Sequence, residues 1–184
     1  QGNGPGLLHQ GQPAGGNGKD VSGVSKRVLD VACGSKMFYF DKENPDVEFC
    51  DIREVPHHEY YPGRFIEVTP DTVCDFTALP FPDGSFKLVV FDPPHLNRAG
   101  DSGWTAMKYG VLRGDWHAML KQGFAECFRV LDANGVLVFK WSEVQIPLRE
   151  ILPLSPYPPI FGNRAGKNGL THWLCFMKPK EAGK

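Results

Sequence analysis

Apolar residues fall along this chain in short, dense runs separated by polar stretches rich in glycine and proline. Arg27-Val28-Leu29-Asp30-Val31 breaks at Ala32-Cys33-Gly34-Ser35, which predicts a buried strand ending in a tight turn. A brief helix is expected over Lys36 to Lys42, stopped by Pro45. Val47 to Ile52 is a second strand with an acid, Asp51, at its C-terminal end, and a polar stretch carrying His57, His58, Tyr60 and Tyr61 follows. Asp71 to Phe76 predicts a third strand. Pro82-Asp83-Gly84 is a turn, and Phe86 to Phe91 is the clearest buried strand, running into Asp92-Pro93-Pro94-His95, where two prolines forbid further pairing.

After a polar segment from Leu96 to Gly114, Asp115 is placed to cap a helix reaching about Leu131. Its apolar face is built from Trp116, Met119, Leu120, Gly123, Phe124, Cys127 and Phe128. Asn134-Gly135 separates it from a fifth strand, Val136 to Trp141. A short helix near Pro147 to Ile151 and a loop from Phe161 to Gly169 lead to a final strand, Leu170 to Met177. Strands divided by helical or irregular crossovers predict an α/β fold, a mostly parallel Rossmann-like sheet with helices on both faces. Residues 1–25 are glycine-rich and nearly free of large apolar side chains, and are expected to be a flexible tail.

In such sheets ligands bind beyond the C-terminal ends of the strands. Four of the predicted strands end on an acid there: Asp30, Asp51, Asp75 and Asp92. The turn at Gly34 lets backbone N–H groups approach a ligand, Asp51 is spaced to accept hydrogen bonds from a ribose diol, and Asp75-Phe76 suits an adenine ring and its amino group. These features describe a nucleoside cofactor site. A dinucleotide site would need Gly-x-Gly-x-x-Gly, whereas Asp30 to Met37 holds one glycine, so nicotinamide chemistry is excluded.

Composition narrows the class further. Hydrophobic residues make up 41% of the 184 and charged ones 22%, enough for one cored domain, and the formal net charge of -1 excludes a strongly basic coat protein. The charge is uneven: 7 Lys and Arg stand against 13 Asp and Glu up to Ser85, and 13 against 8 beyond it, which suits a second half facing an anionic substrate. Five scattered cysteines without a Cys-x-x-Cys pair point away from a zinc site or disulfide framework and toward a cytoplasmic location. No apolar run approaches the roughly 18 residues of a membrane span. His57 and His58 lack further ligand spacing, so no metal is expected.

The series Asp30-Val-Ala-Cys-Gly-Ser, Asp51, Cys74-Asp75-Phe76, Leu79-Pro-Phe-Pro-Asp-Gly-Ser-Phe86 and Asp92-Pro-Pro-His95 resembles the class I S-adenosylmethionine-dependent methyltransferases over about Lys26 to Lys178. The resemblance implies one domain over residues 26–180, with a seven-stranded sheet whose last strand, Leu170 to Met177, is antiparallel. It implies S-adenosyl-L-methionine as the cofactor, with Asp30 and Gly34 near its methionine part, Asp51 near the ribose and Asp75 near the adenine. Ala32, Cys33, Ile52 and Phe76 complete that set. Asp92-Pro93-Pro94-His95 is similar to the Asp/Asn-Pro-Pro-aromatic motif of enzymes that methylate exocyclic amino groups, chiefly adenine N6 and cytosine N4.

The chemistry suits the motif. An aryl amine is a poor nucleophile because its lone pair is delocalised into the ring, and the Asp92 carboxylate with the Pro93 carbonyl can accept its N–H bonds and aim the nitrogen at the donor methyl. The fourth residue stacks on the base, and here it is histidine, where Tyr, Phe or Trp is commoner. Arg98, Trp104, Lys108 and Arg113 between Leu96 and Gly114, with Arg164 and Lys167 before the last strand, are the candidate substrate-binding residues, cations for phosphates and aromatics for bases. The expected partner is nucleic acid, RNA or DNA. The chain leaves no room for a separate target-recognition region, so the expected substrate is single-stranded or structured RNA, short-site DNA, or one presented with a partner protein. Two rivals stand beside this reading: a methyltransferase for a protein amide or amine or a small molecule, and an inactive cofactor-binding subunit of a larger enzyme.

Overall fold

The computed structural model describes residues 26–98 and 104–180, without the side chain of Trp104. The tail expected over residues 1–25 lies outside these. Nine strands are described: β1 (Val28–Asp30), β2 (Val47–Asp51), β3 (Val55–Tyr61), β4 (Arg64–Val68), β5 (Thr72–Val73), β6 (Phe86–Phe91), β7 (Leu131–Ser142), β8 (Phe161–Ala165) and β9 (Thr171–Met177). Three α-helices accompany them: α1 (Trp104–Tyr109), α2 (Trp116–Val130) and α3 (Leu148–Ile151). Seven strands form one sheet in the order β5-β2-β1-β6-β7-β9-β8, parallel except for β9, which runs antiparallel to both β7 and β8. The expected α/β, seven-stranded, mostly parallel sheet with its antiparallel last strand is therefore present.

Alternation along β7 shows how the sheet is packed. Leu137, Phe139 and Trp141 are fully buried and Val136, Val138 and Lys140 are not. The buried set meets Phe124, Cys127 and Phe128 of α2, whose apolar stripe recurs at helical spacing and whose N-terminus is capped by the Asp115 carboxylate accepting from the Ala118 N–H at 3.1 Å. A side chain at Gly123 would strike Phe76 and Phe91, so the glycine lets α2 lie close against the strand ends that carry the site. Arg129 of α2 holds the Leu79-to-Phe86 segment by donating to the carbonyls of Leu79 (2.9 Å) and Phe81 (2.7 Å), and the Leu79 N–H donates to Glu126.

Helical cover is concentrated on the α2 face. On the other face, turns between β1 and β2 lay Cys33 and Tyr39 over Val28, Val47 and Phe49. The helix expected at Lys36 to Lys42 is not formed there. Lys36 takes a positive φ of 53° two residues after Gly34 at 50°, and its buried side chain lies over the Phe49 ring, 4.2 Å from the centroid. Two elements arise where loops were expected. The polar stretch around His57 and His58 is a β3–β4 hairpin turning at Gly63; β3 is largely exposed, and only Ile66 and Val68 of β4 are buried. Phe161 to Ala165 is the edge strand β8, made by pairing with β9. The third strand shrinks to Thr72–Val73, and β7 begins at Leu131, ahead of Asn134-Gly135, through an irregularity in its pairing with β6.

Candidate active site

Two adjoining clefts lie at the C-terminal ends of β1, β2 and β6. The first is bounded by the turn after β1 (Ala32, Cys33, Gly34), by Met37 and Phe38, by Pro93 and His95, and by Lys108 and Tyr109 of α1. The second is bounded by Asp51, Ile52, Phe76, Pro94, Gly110 and Val111. Ala32, Arg53, Asp92 and Tyr109 line both. The clefts meet where β1 and β6 lie side by side and the chain departs from each in a different direction, which is where open α/β sheets bind ligands.

The structure thus brings together Ala32, Cys33, Gly34, Asp51, Ile52, Phe76, Asp92, Pro93, Pro94, His95 and Lys108 from the expected set. Other members lie elsewhere. Asp30 is fully buried beneath the turn, where it accepts from the Ala32 N–H at 3.1 Å, so its place is under the cleft and not in it. Asp75 is exposed and turned back on Thr77, whose N–H and hydroxyl both donate to it at 2.8 Å. Arg98 and Arg113 are exposed and outside both clefts. Arg164 and Lys167 sit on or after β8, three strands beyond β6. The Trp104 side chain lies outside the described residues. His57 and His58 are exposed, and no group of three or more His, Cys, Asp or Glu among the described residues is arranged to hold a metal ion.

Asp51 is engaged in a way its position in the sequence does not disclose. One oxygen accepts from the Arg53 N–H (2.9 Å) and Nε (3.0 Å), the other from the Gly34 N–H (2.9 Å) and the Arg53 Nη2 (3.2 Å). A carboxylate has about four lone-pair sites, and all are used. Arg53 also donates to the Met107 carbonyl at 3.1 Å, which ties α1 across the clefts. Its nearness to a strand-end acid, in Asp51-Ile52-Arg53, was a legible signal. Lys140 of β7 donates to one oxygen of Asp92 at 2.5 Å. A lysine inside the apolar run Val136 to Trp141 was the signal for this residue. Tyr109 faces His95 with ring centroids 5.8 Å apart.

Burial governs the charges here. It pushes the Asp30 carboxyl up to about 7, more than the Ala32 N–H offsets, and pushes Asp92 up against the pull of Lys140. Burial, then the Lys140 charge, holds His95 down at about 4, so the ring is neutral near pH 7 and can stack without carrying charge. For Asp30 the raised folded value means that the unfolded chain loses the proton first, so stability falls as pH rises from about 4 to about 7. Asp30→Asn keeps an acceptor for Ala32 and removes that slope. Urea unfolding at pH 5 and pH 8 should show the variant gaining on the parent by roughly 2–3 kcal/mol over the interval.

No protein-family model matches the chain, and no curated protein matches it. Solved structures do. The PH0226 protein from Pyrococcus horikoshii OT3 aligns at 19% identity and a TM-score of 0.50, covering 84% of this chain and 82% of that one. The 1,6-didemethyltoxoflavin-N1-methyltransferase of Burkholderia thailandensis, solved with 1,6-didemethyltoxoflavin and S-adenosylhomocysteine, aligns at 16% identity and a TM-score of 0.51, covering 84% and 72%. The chain has their fold. No helix among the described residues is long and apolar enough to cross a membrane.

Proposed function

We propose that this protein is an S-adenosylmethionine-dependent N-methyltransferase that modifies an exocyclic amino group of a nucleic-acid base, adenine N6 first. The observation that carries the reading is the placement of the Asp92 turn. Asp92 borders both clefts, Pro93 lines one and Pro94 the other, so an acceptor in the first cleft and a cofactor spanning the β1 and β2 ends would meet at one carboxylate. Gly34 holds the turn at a positive φ of 50° that a side chain would strain, while Asp51, Ile52 and Phe76 offer an acid, an aliphatic and an aromatic surface to a nucleoside. Asp51 would hold the ribose, and the backbone around Ala32 to Gly34 the methionine part. When bound, the cofactor supplies a methyl group on a positively charged sulfur, an electrophile that needs a nucleophile brought in line more than it needs a base.

His95, Tyr109 and Phe38 give the first cleft aromatic walls for a flat acceptor. A second reading, a small heteroaromatic amine as acceptor, is favoured by one observation: of the cations expected to meet phosphate, only Lys108 reaches a cleft. Transfer of tritiated methyl from S-adenosylmethionine to total RNA, total DNA, protein and free nucleosides separates these readings. Label recovered as a methylamino base from RNA or DNA is the expected result. Label in free nucleosides alone favours the small acceptor, label in protein overturns both, and calorimetry showing no cofactor binding overturns the whole reading.

A further inference from the structure

Lys140 is the group that holds Asp92 most closely, yet it borders neither cleft. Along β7 its neighbours Phe139 and Trp141 point into the core under α2, and Lys140 points to the opposite face. Phe91 pairs with Phe139 in the parallel β6–β7 ladder, so Asp92, one residue on, comes level with Lys140 at the strand ends. The ammonium lies 2.5 Å from Oδ2 of Asp92 and 5.7 Å from the ring centroids of both Phe38 and Trp173, which pack edge to face on each other. The two aromatic faces leave it one well-defined position. The other carboxylate oxygen accepts no hydrogen bond among the described residues.

We propose that Lys140 is a positioning residue acting through Asp92: it takes one carboxylate oxygen, fixes the side-chain rotamer, and leaves the second oxygen charged and facing the cleft to accept an N–H of the substrate amine. The proposal rests on the methyltransferase reading of the site. Both side chains are largely withdrawn from water, at 19% and 16% exposed, and in such a place an apolar pair of similar volume is often as stable as an ion pair. The work of the pair is then to keep an acceptor where burial would otherwise put a proton. A protonated Asp92 would present a donor to a donor, and the amine would lose its grip.

Other groups share this corner. Asp30 faces Asp92 from β1, Arg53 from beyond β2, Lys108 and Tyr109 from α1, and His95 from the same turn. His95 is neutral above about pH 5, and burial holds the Asp30 carboxyl up at about 7, within the working range. The test compares Lys140→Met, Lys140→Arg and the parent, with kcat/KM measured from pH 5.5 to 9.5 on the fraction that accepts methyl, and repeats the comparison in an Asp30→Asn background. Lys140→Met should move the acidic limb upward by about one pH unit or more, leaving activity about tenfold below the parent at pH 6.5 and within about threefold at pH 9, with unchanged cofactor affinity. Lys140→Arg should restore the parent profile, and Asp30→Asn should leave the displacement in place.

The carboxyl ¹³C resonance of Asp92 reads the same event without turnover, and its midpoint should rise in Lys140→Met. A uniform loss across the pH range, or a midpoint that stays put in an active enzyme, overturns the proposal alone. A parent that binds no S-adenosylmethionine, or methylates no amine, overturns the reading beneath it.

Discussion

Asp92→Ala should lower methyl transfer by about 10²- to 10³-fold while S-adenosylmethionine affinity changes by less than about threefold. Asp92 borders both clefts and Lys140 takes one of its oxygens, so on the proposed reading the other oxygen would receive the N–H of the acceptor. Removing it leaves the amine delocalised and unoriented, a loss felt in the transition state more than in binding of either molecule. The alanine also strands the Lys140 ammonium without its partner, and breaking a largely buried pair on one side can cost about 3–5 kcal/mol of stability. Asp92→Asn is therefore the paired measurement. It keeps the shape and an oxygen acceptor, so it should retain the parent's melting temperature more closely and lose less transfer than the alanine. Tritium transfer, with calorimetry on the same preparations, checks both. Equal loss of binding and transfer would show that Asp92 belongs to the cofactor site and not to the acceptor.

The second large effect has opposite signs at two residues in contact. Asp51→Ala should raise the dissociation constant for S-adenosylmethionine about 30-fold, the equivalent of about 2 kcal/mol, because it removes the anchor of the Gly34 turn and, on the proposed reading, the acceptor of the ribose hydroxyls. Arg53→Ala should lower that constant by up to about fivefold. Every lone-pair site of Asp51 is taken in this structure, two of them by the Arg53 guanidinium, so a ribose diol can bind only by displacing it. The Arg53 side chain is 29% exposed and that of Asp51 5%, and the net worth of the hydrogen bonds released, about 1 kcal/mol, sets the size of the gain. The same variant frees the Met107 carbonyl, so amide exchange in α1 should speed up. Calorimetric titration of both variants checks the signs. Weaker binding in Arg53→Ala would mean that the guanidinium itself contacts the cofactor.

The parts of the fold legible in the sequence are those whose signal is local. Strands β1, β2, β6 and β9 and helix α2 announce themselves because each buries a dense apolar run or a helical stripe, and burial on this scale leaves a periodic mark. The β3–β4 hairpin buries only Ile66 and Val68, and β3 is polar and largely exposed, so the stretch read as a polar loop. Edge strand β8, in Phe161-Gly162-Asn163-Arg164-Ala165, has almost no intrinsic strand preference and exists because β9 offers it a ladder. At Lys36, helical composition lost to a left-handed turn and to the Phe49 ring.

The same division runs through the site. Strand-end acids and the Asp92-Pro93-Pro94-His95 turn are properties of the chain itself: prolines stop a strand wherever they stand, and an acid at the end of a buried strand must emerge at the sheet's edge. From this the chain determined the α/β class, the sheet edge that carries the clefts and the turn that stands between them. Which of those acids face the cleft was decided only in three dimensions. Asp30 went under the turn, Asp75 folded back on Thr77, Asp51 was filled by Arg53, and Asp92 acquired Lys140 from a strand 48 residues away. Partners of that kind follow from the order and register of strands, and a carboxylate's partner sets its orientation and charge more firmly than its neighbours in sequence do.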